Sequence, residues 1–140
     1  EGRGAQQAMQ EALTEAGLSP AEVDYVNMHA TSTSVGDTSE IHAVNALFGE
    51  AINKVQLSST KSMTGHLLGA AGAIEAIASI LAMEHSLIPP TINQFNRDPE
   101  IAPQINLTPN ERINCEVKVA MSNTFGFGGH NAIVVFKKFS

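Results

Sequence analysis

The stretch Asp24-Tyr25-Val26-Asn27-Met28-His29-Ala30-Thr31-Ser32-Thr33-Ser34-Val35-Gly36-Asp37-Thr38-Ser39-Glu40 decides the fold class. Asp24 to Met28 is a short apolar-rich run that reads as a strand. His29 to Asp37 has no apolar period and is dense in hydroxyls, so it predicts a loop. Asp37 followed by Glu40 then predicts a capped helix start, with the helix running to about Phe48 before Gly49 stops it. That spacing makes the two acids helix-capping groups rather than catalytic acids. A strand, a polar loop and a helix in this order are the repeating unit of a layered α/β protein.

Upstream, Ala8, Met9, Ala12 and Leu13 recur at helical spacing within Ala5 to Ala16, and Gly17 supplies a stop. Ser19-Pro20-Ala21-Glu22 is a single capped turn. Downstream, the apolar run Val55 to Leu57 leads into a second polar loop, Ser58 to His66, and then an Ala-rich helix that Pro89-Pro90 terminates. The segment with Pro99, Pro103 and Pro109 predicts irregular structure. Val117 to Asn123 and Ala132 to Phe136 read as strands joined through Phe125-Gly126-Phe127-Gly128-Gly129. Leu67 to Met83 is almost wholly apolar, but it is short for a bilayer and carries Glu75 at its centre, so it reads as a buried helix. Helices apolar nearly all round predict a sheet covered on both faces.

The length of 140 residues fits one domain, residues 1–140, and 43% hydrophobic residues are enough to fill a core. A net charge of -6 with few, scattered Lys and Arg argues against a nucleic-acid partner. Cys115 is the single cysteine and cannot form an internal disulfide, and no leader-like segment precedes the first helix, so a reducing, cytosol-like compartment is the expectation. The histidines at 29, 42, 66, 85 and 130 have no paired metal-ligand spacing, which predicts no structural zinc. His42 and His85 read as helix-surface residues.

Three polar loops, each after a strand-like run, hold the groups able to do chemistry: His29 with its Thr and Ser neighbours, Lys61 with His66, and Phe125 to His130. In layered α/β proteins such loops share one sheet edge and converge. His66 stands before the long helix, whose positive end disfavours imidazolium and leaves a neutral N–H donor suited to an enolate oxygen; a structural histidine bonded to a backbone carbonyl fits the position too. Lys61 is the nearest lysine to the apolar-embedded Glu75, as a site charge or as a purely structural ion pair. Thr31 and Thr33 alternate along the loop, so both hydroxyls can face one ligand, or they make local turns. Gly126, Gly128 and Gly129 lack dinucleotide-loop spacing; the turn is a tight hairpin whose amides can form half of an oxyanion hole.

Asn27-Met28-His29-Ala30-Thr31-Ser32-Thr33 through Gly36-Asp37, Ser59-Thr60-Lys61-Ser62-Met63-Thr64-Gly65-His66-Leu67-Leu68-Gly69-Ala70-Ala71-Gly72, and Asn123-Thr124-Phe125-Gly126-Phe127-Gly128-Gly129-His130-Asn131 resemble, in order and spacing, the carboxy-half signatures of beta-ketoacyl-acyl carrier protein synthases, most of all the long-chain synthase II type. Polyketide ketosynthases share these signatures. The resemblance implies a thiolase-like fold, layered α-β-α with a mixed sheet, of which this chain is the second half. It implies decarboxylative condensation of malonyl-acyl carrier protein with an acyl group carried on a cysteine of the other half. By the same resemblance His29 and His66 stabilise the enolate, Lys61 paired with Glu75 sets the electrostatics, and Phe127 gates the site with the Phe127–Gly128 backbone at the oxyanion. Thr31, Thr33 and Phe125 contact the pantetheine arm. That arm arrives on the acyl carrier protein, so no cofactor or metal is implied, and a homodimer in the cytoplasm, plastid or mitochondrial matrix, away from the membrane, is expected. Ala30 stands where the family commonly has glycine, and His130 where threonine is frequent. No segment resembles the family's cysteine motif, and Cys115 lies in the wrong region to replace it. The alternatives are a non-catalytic chain-length-factor-like partner, a ketosynthase half of a polyketide synthase, and a carrier-binding module without chemistry.

Overall fold

A computed structural model describes residues 2–139. Helix α1, Arg3–Ala16, ends on Gly17 in the left-handed conformation, and the expected Pro20–Glu22 turn is closed by a capping box between Ser19 and Glu22. Strand β1 (Tyr25–Asn27), helix α2 (Ser34–Phe48), strand β2 (Gln56–Ser58), the short helix α3 (Lys61–Thr64) and helix α4 (Ala71–His85) follow. After them come β3 (Leu87–Ile88), β4 (Ile113–Asn114), β5 (Val119–Phe125) and β6 (Asn131–Lys137). The main sheet has the order β2-β1-β5-β6, with β1 parallel to both neighbours and β6 antiparallel to β5.

The alternation of side chains along each strand builds the layers. Val26, Leu57, Val119 and Met121 face α1 and α2 in one core, which holds Met9, Leu13, Val44 and Phe48. Tyr25, Ala120 and Phe136 face the opposite way, against Ala82 and Met83 of α4. The result is the expected α-β-α layering of a mixed sheet.

Several boundaries and environments differ from the sequence reading. Helix α2 starts at Ser34 rather than Asp37, because Thr33 in extended conformation takes the N-cap place and its carbonyl accepts the Asp37 N–H. The long helix begins at Ala71, preceded by a tight 3-10 turn over Leu68–Ala70. Lys61 opens a helical turn instead of lying in a loop. The Ala-rich helix ends at His85, short of Pro89, and Leu87–Ile88 form β3, which pairs antiparallel with β4 inside the stretch read as irregular; two-residue strands are too short to leave a pattern. Helix α4 is buried on one face only: Ala71, Glu75, Ser79, Ala82 and Met83 point inward, whereas Ile77, Ile80 and Leu81 are exposed. The segment Leu68–His85 is, by length and composition alone, apolar enough to cross a membrane.

Candidate active site

Because β1, β2 and β5 run parallel and side by side, their C-terminal ends point to one edge: Asn27 and Ser58, which end β1 and β2, are in register with each other and with Ser122, and β5 runs on past them to Phe125. The loops that follow therefore leave the sheet along one edge, as the sequence predicts. The rings of His29 and His66 meet edge to face with centroids 5.3 Å apart, and the Phe125 ring lies 5.9 Å from His29.

Beneath the histidines, Lys61 Nζ pairs with Glu75 Oε1, and the two side chains are 4% and 2% exposed. Neither Lys61 Nζ nor Glu75 Oε2 has a further hydrogen-bond partner among the described residues. Burial raises the Glu75 carboxyl above its ordinary range, against the pull of Lys61. Burial first, then the Lys61 ammonium, and last the neighbouring His66 ring push His29 down to about 4, so its ring is neutral near pH 7. On His66 the Nδ1 atom accepts the Leu68 N–H at 3.2 Å. An imidazole whose Nδ1 accepts must carry its proton on Nε2, so this local turn, more than the distant end of α4, fixes the donor tautomer.

Gly65 brings His66 into place. Its φ of 73° and ψ of 175° belong to a region open essentially to glycine, and the chain turns there from α3 toward His66. Gly128, with φ 77°, holds the five-residue β5–β6 hairpin loop, which the Gly126 N–H closes on the His130 carbonyl at 2.6 Å. The Phe127 side chain lies outside the described residues. Thr31 and Thr33 do turn toward each other, their hydroxyls 3.4 Å apart. A cavity of about 770 Å³ opens beside the histidine pair, between the hydroxyl-rich loop, α3 and residues 91–98; Thr31, Lys61 and His66 line it, and Thr33 does not.

The sequence reading of Glu40 is corrected. It caps no helix end: at 3% exposure it lies under the site, its Oε1 accepting the His29 N–H at 3.0 Å and the Asn123 amide at 3.0 Å, and its Oε2 accepting the Ala30 N–H at 2.8 Å. Burial raises its carboxyl and these donors oppose the rise. One carboxylate thus ties the His29 loop to β5. The signal was present in the sequence: positions 40, 44 and 48 fall on one helical face with Val44 and Phe48, both buried. Asp37 fits its capping role better, with Oδ1 accepting the N–H groups of Ser32 and Thr33 at 3.1 and 3.3 Å.

A neutral N–H donor, a second histidine held neutral by burial and a buried ammonium, gathered on one sheet edge, make a place for developing negative charge. The family profile described as Beta-ketoacyl synthase, C-terminal domain, matches residues 1–95. The 3-oxoacyl-[acyl-carrier-protein] synthase 2 of Staphylococcus aureus (strain COL) is 52% identical over 99% of this chain and 33% of its own length. The chloroplastic 3-oxoacyl-[acyl-carrier-protein] synthase I of Arabidopsis thaliana is 48% identical over 99% of the chain and 29% of its own length. Among solved structures, a beta-ketoacyl synthase from Burkholderia phymatum STM815 superposes with TM-score 0.89 at 38% identity, covering 96% of this chain and 32% of that one. A type II PKS acyl-carrier protein in complex with its ketosynthase gives TM-score 0.93 at 32% identity, over 100% of this chain and 34% of that one. The fold is thus that of the thiolase-like ketosynthases. The chain belongs to the beta-ketoacyl synthase family, as its C-terminal domain. It spans about a third of the length of the curated relatives it matches.

Proposed function

We propose that this chain supplies the decarboxylating half of a 3-oxoacyl-[acyl-carrier-protein] synthase of fatty acid biosynthesis. The observation that carries the reading is the meeting of His29 and His66 at 5.3 Å above the buried Lys61–Glu75 pair. A malonyl thioester delivered by the acyl carrier protein binds with its thioester oxygen toward His29 and His66. Its C–C bond to the carboxylate breaks, carbon dioxide leaves, and the electron pair moves onto the enolate oxygen, where the two imidazole N–H groups stabilise it. The enolate carbon then attacks the carbonyl of an acyl thioester held on the cysteine of the remaining polypeptide; a C–C bond forms and the thiolate departs. Lys61, with Glu75, adds positive potential to the enolate. The Phe127 and Gly128 backbone serves the acyl oxyanion and the Phe127 side chain gates it, while Thr31, Thr33 and Phe125 guide the pantetheine arm. That arm is part of the carrier substrate, and no resident cofactor or metal takes part.

Activity requires the other two-thirds of the polypeptide. The exposure of Ile77, Ile80 and Leu81 on the outer face of α4 supports this, since a row of large apolar side chains marks a surface that another part of a protein covers. The full-length protein works as a homodimer in the cytoplasm or in an organelle matrix, off the membrane. The joint presence of both histidines and the lysine favours a catalytic half over a chain-length-factor-like partner. The test is His66→Ala in the full-length enzyme. Malonyl decarboxylation falls on the order of 100-fold or more, while acyl transfer to the cysteine stays near wild type; equal loss of both half-reactions overturns the assignment.

A further inference from the structure

Ala30 is held through both of its flanking peptide groups. Its N–H donates to Glu40 Oε2 at 2.8 Å, and its carbonyl accepts the Ser59 hydroxyl at 3.0 Å. Ser59 is 5% exposed and precedes Lys61 by two residues. Its N–H donates to Thr91 Oγ1 at 3.0 Å. Its carbonyl accepts the Ser62 hydroxyl at 2.9 Å, and that hydroxyl in turn accepts the Ile92 N–H at 3.0 Å. One side chain and its peptide groups therefore join three segments: the His29 loop, the turn into α3, and the strap at Thr91–Ile92.

The other links between the first two loops lie on the strand side of His29: the Met28 N–H donates to the Ser58 carbonyl at 2.8 Å, and the Asn27 amide donates to the Thr60 hydroxyl at 3.1 Å. Among the described residues, the Ser59 hydroxyl is the side-chain bond that fastens the backbone beyond His29 to the loop bearing Lys61 and His66. Without it, the Ala30 carbonyl is left without that donor and the Ala30–Thr31 peptide is free to rotate, which loosens the backbone just beyond His29 and with it the tilt of the imidazole toward His66.

Resting on the proposed function, we propose that Ser59 is a positioning residue for malonyl decarboxylation: its hydroxyl sets the separation and tilt of His29 relative to Lys61 and His66. His29 faces Lys61 and His66 as charged or titratable groups, Glu40 holds its N–H, and Phe125 packs on its ring. A tilt out of this setting weakens burial and the fields of both neighbours together, so the ring's titration reports the position independently of turnover.

The experiment compares full-length wild type with Ser59→Ala, which removes the hydroxyl, and Ser59→Thr, which keeps it. Malonyl decarboxylation kinetics and the NMR titration of the His29 imidazole are read on each. For Ser59→Ala the expected result is a kcat lowered about 10- to 100-fold with KM little changed, the scale of a small misplacement at a reacting centre. The His29 midpoint is expected to rise from about 4 toward the ordinary histidine range. Ser59→Thr returns both values toward wild type. If Ser59→Ala does not accumulate as folded protein, Thr91→Val loosens the same joint from the strap side and is expected to shift both readings in the same direction. A folded variant with unchanged kcat and unchanged titration overturns the proposal. If the wild type itself fails to decarboxylate malonyl thioesters, the proposed function falls, and the titration alone decides whether Ser59 positions His29.

Discussion

Replacing Glu75 by leucine, alone and together with Lys61→Met, separates the two things an ion pair can do. The pair is 2% and 4% exposed, and neither Glu75 Oε2 nor Lys61 Nζ finds a second partner among the described residues. Glu75→Leu therefore strands an ammonium in a buried site with no local compensation, a change that costs about 3–5 kcal/mol of folding free energy. Removing both charges and filling the space with apolar groups of similar volume is close to neutral, or stabilising. Urea denaturation of the full-length protein should accordingly show a large loss for Glu75→Leu and recovery in Lys61→Met/Glu75→Leu. Malonyl decarboxylation should not recover: the double variant lacks the positive potential beside His29 and stays on the order of 100-fold slow, the typical size of one preorganised electrostatic contribution. A double variant that regains stability and decarboxylation together refutes a chemical role for Lys61 and leaves the pair purely structural.

Glu40→Ala deprives the His29 N–H, the Ala30 N–H and the Asn123 amide of their acceptor. At about 1–3 kcal/mol for a buried donor left unpaired, denaturation should show a loss of at least about 2 kcal/mol, with Glu40→Gln, which keeps one acceptor oxygen, losing less. Gly65→Ala forces a side chain into φ 73°, ψ 175°, at about 1–3 kcal/mol of strain, and should slow decarboxylation more than acylation because His66 follows directly; equal slowing would tell against that placement. The folded His29 ring takes its proton only near pH 4, against an ordinary value of 6.5. Between those values the unfolded chain binds more protons, so His29 contributes stability that is complete above about 6.5 and drains as pH falls toward 4. A His29→Gln variant should show a flatter fall in unfolding free energy across that window, and an identical slope would contradict the depressed titration.

Much of the site was legible because it depends on chain order. A polar loop follows each of three strands, and once those strands are parallel neighbours their loops must leave from one edge; His29, His66 and Phe125 meet for that reason. Glu40 was misread because an acid three residues after Asp37 imitates a capping pair, and only its place on the face of Val44 and Phe48 betrays burial. Periodicity could not orient α4, since inward Ala71, Ala82 and Met83 and outward Ile77, Ile80 and Leu81 are apolar alike. The backbone angles of Gly65 and the Leu68 N–H that fixes the His66 tautomer are settled by local turns, which hydrophobic pattern does not encode.

The one-sided burial of α4 also bears on how such a protein survives damage. A protease cut that released this part of the proposed full-length protein would leave Leu68, 75% exposed, and the Ile77, Ile80 and Leu81 row open to solvent. Fragments with such rows are captured by chaperones or clump together rather than circulating as stable pieces. The helix that supplies Glu75 to Lys61 would thus also be a quality mark, displayed on the fragment where the proposed full-length protein covers it.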